Sequence, residues 1–157
     1  MQNKSMGEMD DANKRSISAF HRTMDIITGI LLITGQITVI GVFIRPERFS
    51  LTVGGPIFGG TRIVPKDNLA IEQDILDLIN LVFAILLFSD NITVTGITFS
   101  SGDFGINISG PIFGYPKVVP STLMLDNIKM FHSIVKEHYN VPPELLSNLI
   151  RDESDGK

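Results

Sequence analysis

Apolar and polar positions follow two rhythms along this chain, one helical and one strand-like, and each rhythm occurs twice. From Ile71 to Phe88, the residues Ile71, Ile75, Leu78, Ile79, Val82 and Leu86 recur at helical spacing while Glu72, Asp77 and Asn80 fall off that stripe. The pattern predicts an amphipathic helix, with Asp67 or Asn68 as its cap. Its later turns add Phe83, Ile85, Leu87 and Phe88, so that end is expected to be buried nearly all round. Ser16 to Ile33 is the matching segment 55 residues earlier, with Phe20, Met24, Ile27 and Leu31 on a common side. Gly29 and the β-branched residues weaken that helix, and a competing reading makes Ile26 to Thr34 a strand turning back at Gly35-Gln36.

A β-rich block follows each helical segment: Ile37 to Ile44 then Phe49 to Val53, and Ile92 to Phe99 then Phe104 to Ile108. Strict alternation in Ser50-Leu51-Thr52-Val53 and Gly105-Ile106-Asn107-Ile108 predicts strands with one buried and one wet face. Arg45-Pro46-Glu47-Arg48 and Ser100-Ser101-Gly102-Asp103 read as hairpin connections. Arg62 to Val64 and Lys117 to Val119 are expected to add a short third strand to each block, ending at Pro65 and Pro120.

These blocks are copies of one another. Gln36 to Pro65 aligns without a gap on Asn91 to Pro120, with 12 of 30 positions identical, including Gly55 to Gly59 on Gly110 to Gly114 (Gly-Pro-Ile-Phe-Gly). A tandem repeat of one supersecondary unit predicts two like halves packed on each other. A third helix, from Leu125-Asp126 onward, resembles Leu76-Asp77 onward at a shorter offset of 49 residues. The expected fold is α+β, a tandem-duplicated set of helix plus antiparallel hairpin units (α-βββ-α-βββ-α) with pseudo-twofold character. Its organisation reads as a flexible polar arm (1–15), a single domain (16–150) and a mobile tail (151–157), the domain holding repeat one (16–65), repeat two (71–120) and a C-terminal helical segment (122–150).

Nineteen uncharged residues from Ile26 to Ile44 are long enough to cross a bilayer. The repeat argues against that reading, because Ser89-Asp90-Asn91 stands where the first copy has Thr34-Gly35-Gln36, and turn residues there split each run into helix and strand. The N-terminal residues lack the basic start and apolar core of a secretory signal, so the expected location is cytoplasmic, with membrane association as the alternative.

Net charge is −4 and no basic stripe is present, which argues against nucleic acid as a partner. The chain has no cysteine, so disulfides and thiolate metal sites are excluded. His21, His132 and His138 occupy no ligand or catalytic spacing and read as surface or boundary residues. Asp74 and Asp77 lie one helical turn apart, but with Glu72 and Asn80 they read as a solvated face. Asp77 and Asp126 read as carboxylates near helix starts. The glycines from Gly54 to Gly60 lack the lysine and serine or threonine of a phosphate loop. No cofactor is expected, and an enzymatic reading rests only on folding gathering Asp90, Asp103 or His132.

The duplicated loops Ile57-Phe58 and Ile112-Phe113 remain as candidate interaction residues. Both pairs are expected in the core; at the surface they make two like apolar patches. The leading functional expectation is a non-enzymatic structural module that self-associates or binds another protein. The alternatives are a small-ligand domain with Thr38, Thr93, Thr95 and Asn107 at the seam between repeats, and a membrane-associated protein.

Overall fold

A computed structural model describes residues 2–45, 48–59, 70–113 and 123–147. Along the chain come helix α1 (Gln2–Ile33), strands β1 (Thr38–Arg45) and β2 (Arg48–Pro56), and helix α2 (Ala70–Phe88). Strands β3 (Thr93–Phe99) and β4 (Asp103–Ser109), a 3-10 turn (Pro111–Phe113) and helix α3 (Leu123–His138) follow, and a short helical stretch covers 143–147. The architecture is α+β, and the expected third strands at Arg62 to Val64 and Lys117 to Val119 lie outside the described residues, as do the caps Asp67 and Asn68 and the tail 151–157.

Both apolar runs break where the turn residues predict. Gly35 and Asp90 take left-handed backbone angles (φ +69° and +63°). Around each, the amide three positions past the helix reaches back five residues, Gln36 to the Leu31 carbonyl at 2.9 Å and Asn91 to the Leu86 carbonyl at 3.0 Å. This Schellman arrangement satisfies the last carbonyls and ends the helix. Ile26 to Ile44 is therefore neither a spanning helix nor a hairpin, and among the described residues no helix is long and apolar enough to cross a membrane.

The strands form one antiparallel sheet in the order β1-β2-β4-β3. Cross-strand pairs Leu51/Ile108, Val53/Ile106 and Gly55/Phe104 place an apolar row on one face, continued by Val94, Ile97 and Phe99 of β3. Period-2 alternation then sends Thr52, Gly54, Gly105 and Asn107 to the other face, where the Thr52 hydroxyl donates to Asn107 Oδ1 at 2.8 Å. Each edge strand carries a register shift, at Val39/Gly41 in β1 and Val94/Gly96 in β3. Met24, Ile27 and Leu31 of α1, Ala84 and Leu87 of α2, and Ile128, Phe131 and Val135 of α3 join the apolar row in one core.

Two expectations about the helices change. The first helix, expected from Ser16, begins earlier, and α1 is continuous from Gln2. Asp11 and Arg15 stand one turn apart with opposite charges, a spacing that favours helix over extended chain. On α2, the face turned inward carries Asn80, Ala84 and Leu87, whereas Ile75, Leu78, Val82 and Ile85 point away and are about half exposed. Apolar residues line both sides of this helix, so spacing alone leaves its orientation open, and the inward side is the one whose small Ala84 and hydrogen-bonding Asn80 let it approach the sheet. The expectation that its later turns are buried all round fails at Leu81, Val82 and Ile85. Asp126 does lie in the first turn of α3, but Asp77 is two turns into α2 and has no such end to act on.

Candidate interaction surface

Two buried polar side chains tie the helices to the sheet. Asp25 of α1 is 1 % exposed and accepts the Val94 amide (2.7 Å) and the Thr93 hydroxyl (2.9 and 3.1 Å) at the start of β3. Asn80 of α2, 55 residues later, is equally buried and accepts the Val39 amide (3.3 Å) while its amide donates to the Thr38 hydroxyl (3.3 Å) at the start of β1. Each helix thus satisfies an amide near the start of an edge strand, which has a neighbouring strand on one side only. Burial pushes the Asp25 carboxyl up to about 6; the Val94 and Thr93 bonds oppose that shift, Asp90 adds to it and Arg22 subtracts.

Arg22 completes the helix pairing. Its guanidinium donates to the carbonyls of Leu87 (2.7 Å) and Phe88, the C-terminal end of α2 where a positive charge is favoured. Close by, Gly29 gives the Phe88 ring its place: a Cβ there would lie 2.5 Å from the ring.

Thr38, Thr93, Thr95 and Asn107 are each hydrogen-bonded within the fold. Thr38 and Thr93 are engaged by Asn80 and Asp25, Thr95 donates to the Asn107 carbonyl (3.2 Å), and the Asn107 side chain accepts Thr52. An open groove along α1, lined by Asp11, Arg15, Ser18, Ala19 and Arg22, contains none of the four. Asp90 and Asp103 stand at opposite ends of β3, exposed, and His132 is half-buried on α3. His21 is half-buried, with burial lowering its pKa, and His138 is exposed.

The duplicated Ile-Phe loops part company. Ile57 packs on the core and Phe58 is 75 % exposed, its ring edge-on to His138 at 5.8 Å; Ile112 is exposed and Phe113 is buried beside Phe83. The expectation that both pairs are core is half right for each, and they do not make two like patches. The cause is local: β2 runs on to Pro56, whereas β4 stops at Ser109 and a 3-10 turn rotates the doublet. That rotation exchanges which side chain faces inward.

Apolar exposure concentrates instead on two adjoining elements. The outer side of α2 presents Ile75, Leu78, Leu81, Val82 and Ile85, and β1 presents Ile40, Val42, Phe43 and Ile44, the last 80 % exposed. Val42 and Ile44 lie on the helix-covered face of the sheet, whereas Phe43, opposite Ser50, and Ile40, against Gly54, lie on its far face, so the apolar exposure of β1 is divided between the two faces. Sequence periodicity misses this surface because it assigns most of the α2 side to the core. Comparison with protein-family models, with curated proteins and with solved structures returned no match.

Proposed function

We propose that this protein is a non-enzymatic assembly module, a duplicated unit with pseudo-twofold character that works by self-association. One observation carries the proposal: α2 is apolar on both sides, and its outer side, Ile75, Leu78, Val82 and Ile85, meets solvent. Those residues follow a three-four-three spacing, the seam that helices use to pack on one another. Leaving them wet forfeits roughly 1 kcal/mol for each half-exposed side chain, which association recovers.

Support for duplication comes from relationships that recur 55 residues apart. They include the Gly35 and Asp90 caps, the two register shifts in the edge strands, the Asp25 and Asn80 bonds, and the Thr52/Asn107 pair in which each residue faces its own counterpart. A duplicated unit also supplies edge strands and repeated apolar faces, the raw material of assembly.

Light scattering after size exclusion, over a wide concentration range, tests the reading. The wild-type chain is expected at a multiple of the monomer mass, and the double substitution Val82→Glu with Ile85→Glu is expected to return it to monomer with unchanged circular dichroism. A wild-type mass of one chain at every concentration would overturn the proposal.

A further inference from the structure

The site that α3 fills beside β3 has a counterpart beside β1 that the described residues leave open. Phe131 of α3 packs edge-on against Phe104 (5.5 Å), and Asn127 donates to the Ile97 carbonyl on the outer strand (2.7 Å). Under that helix Ile97 is 2 % exposed and Phe99 is half-buried against the core. Fifty-five residues earlier stand Val42 for Ile97, Ile44 for Phe99 and Phe49 for Phe104. The register is the same, with Val42 opposite Leu51 as Ile97 is opposite Ile106, and Ile44 opposite Phe49 as Phe99 is opposite Phe104. Yet Val42 is 49 % and Ile44 80 % exposed.

The helix that matches this opening is α2. Its sequence aligns with that of α3 at an offset of 49, and the residues with which α3 fills its own site, Ile128, Phe131, Ile134 and Val135, fall on Ile79, Val82, Ile85 and Leu86. Val82 and Ile85 are 46 % and 53 % exposed on the outer side. The same chain thus displays an α3-like stripe and an unfilled α3-like site. It cannot bring them together within one copy, since α2 is already fixed to its own sheet through Asn80, Ala84 and Leu87. One bond of the α3 site has no analogue, because Leu78 stands where α3 has Asn127.

We infer that two copies associate reciprocally, the outer stripe of α2 in each covering Val42 and Ile44 of the other. This rests on the self-association reading and gives it a geometry. The exchange is isologous, so it closes at two copies. On the β3 side α3 already packs and Asn127 takes the Ile97 carbonyl, whereas on the β1 side the core-facing Val42 and Ile44 are exposed. The side chains this docking covers, Ile75, Leu78, Leu81, Val82 and Ile85 of α2 with Val42 and Ile44 of β1, supply the apolar centre of an interface, and a standard stable one buries roughly 800 Å² per partner.

Because the chain has no cysteine, a cross-linking experiment tests the inference directly. Chains carrying Ile44→Cys and chains carrying Val82→Cys, both at exposed positions, are mixed, equilibrated and exposed to a mild oxidant. The mixed disulfide is expected well above its random-pairing share, with each variant alone giving little covalent dimer. A dimeric mass by light scattering, with homodisulfides of either variant in excess and no mixed species, would overturn the docking geometry while leaving self-association standing. Monomer at every concentration would overturn both. As a second measurement, Val42→Glu is expected to abolish the dimer as fully as Val82→Glu does, and a dimer indifferent to Val42→Glu counts against the geometry.

Discussion

Asp25 and Asn80 hold the same place 55 residues apart, each accepting an amide at the start of a strand and meeting the threonine before it, but one is ionisable and the other is not. The difference makes stability depend on pH at one end of the sheet only. The Asp25 carboxyl is raised from 3.8 to about 6, so the folded state holds its proton more tightly than the unfolded chain. Its contribution is fully present below about pH 4 and is lost as pH rises through about 6, at up to ~1.4 kcal/mol per pH unit. His21, whose pKa burial lowers, acts in the opposite sense as pH falls, so the informative quantity is the difference between variants. Asp25→Asn is expected to be more stable than wild type at pH 7 by about 1–3 kcal/mol, with the gap shrinking toward pH 4. Urea unfolding across that range measures it, and a constant gap would contradict the assignment.

Gly29 is a packing residue rather than a weak point of its helix. A Cβ at this position would sit 2.5 Å from the Phe88 ring. Overpacking costs about 1–3 kcal/mol and is expected to outweigh the ~1 kcal/mol that alanine gains over glycine in helix propensity. Gly29→Ala should therefore destabilise, and in a Phe88→Leu background the same substitution should become neutral or stabilising. A double-mutant cycle by chemical denaturation reads the sign change directly.

How much of this was legible in the sequence depends on which interaction decides each feature. Local chemistry decided the helix-to-strand breaks at Gly35 and Asp90 and the Ser100 to Asp103 hairpin, and these read correctly because a turn residue carries its own signal. The face of α2 did not read, because apolar residues occur all round it and the choice belongs to tertiary contacts at Asn80 and Ala84. The Asp25 and Asn80 pair was within reach: extending the repeat alignment back through the helices sets the two polar residues on each other. The doublets Ile57-Phe58 and Ile112-Phe113 misled because identical words sit in different backbone, a strand end in one copy and a 3-10 turn in the other.

That divergence is measurable. Phe113 is 7 % exposed in the core, so Phe113→Ala is expected to cost about 3–5 kcal/mol through the cavity it leaves. Phe58, at 75 % exposure with the His138 ring edge-on to it, should cost less than about 1 kcal/mol when truncated. Conversely, Ile57→Ala should destabilise more than Ile112→Ala. Thermal melts of the four variants, each at low protein concentration to keep association out of the comparison, are expected in that order.

Gln36 explains in part where the end of α3 settles. Gln36 and Asn91 both donate to the hydroxyl two residues before them, Thr34 and Ser89, at 2.7 Å. The extra methylene of Gln36 also lets it hold Asn140, accepting its amide at 2.6 Å and donating to its carbonyl at 3.0 Å. Beside it Tyr139 donates to the Pro56 carbonyl at 2.5 Å, its phenol pushed up to about 12 by burial and by Asp103, so the hydroxyl stays protonated throughout the useful pH range. These bonds fasten the end of α3 to the turn after α1 and to the end of β2. Gln36→Ala and Tyr139→Phe are each expected to cost about 1 kcal/mol. Because both hold one segment, the double variant should lose less than the sum. Hydrogen exchange at residues 139–141 should accelerate in either variant before exchange in β2 and β4 changes; simultaneous acceleration everywhere would mean that the end of α3 unfolds only with the whole chain.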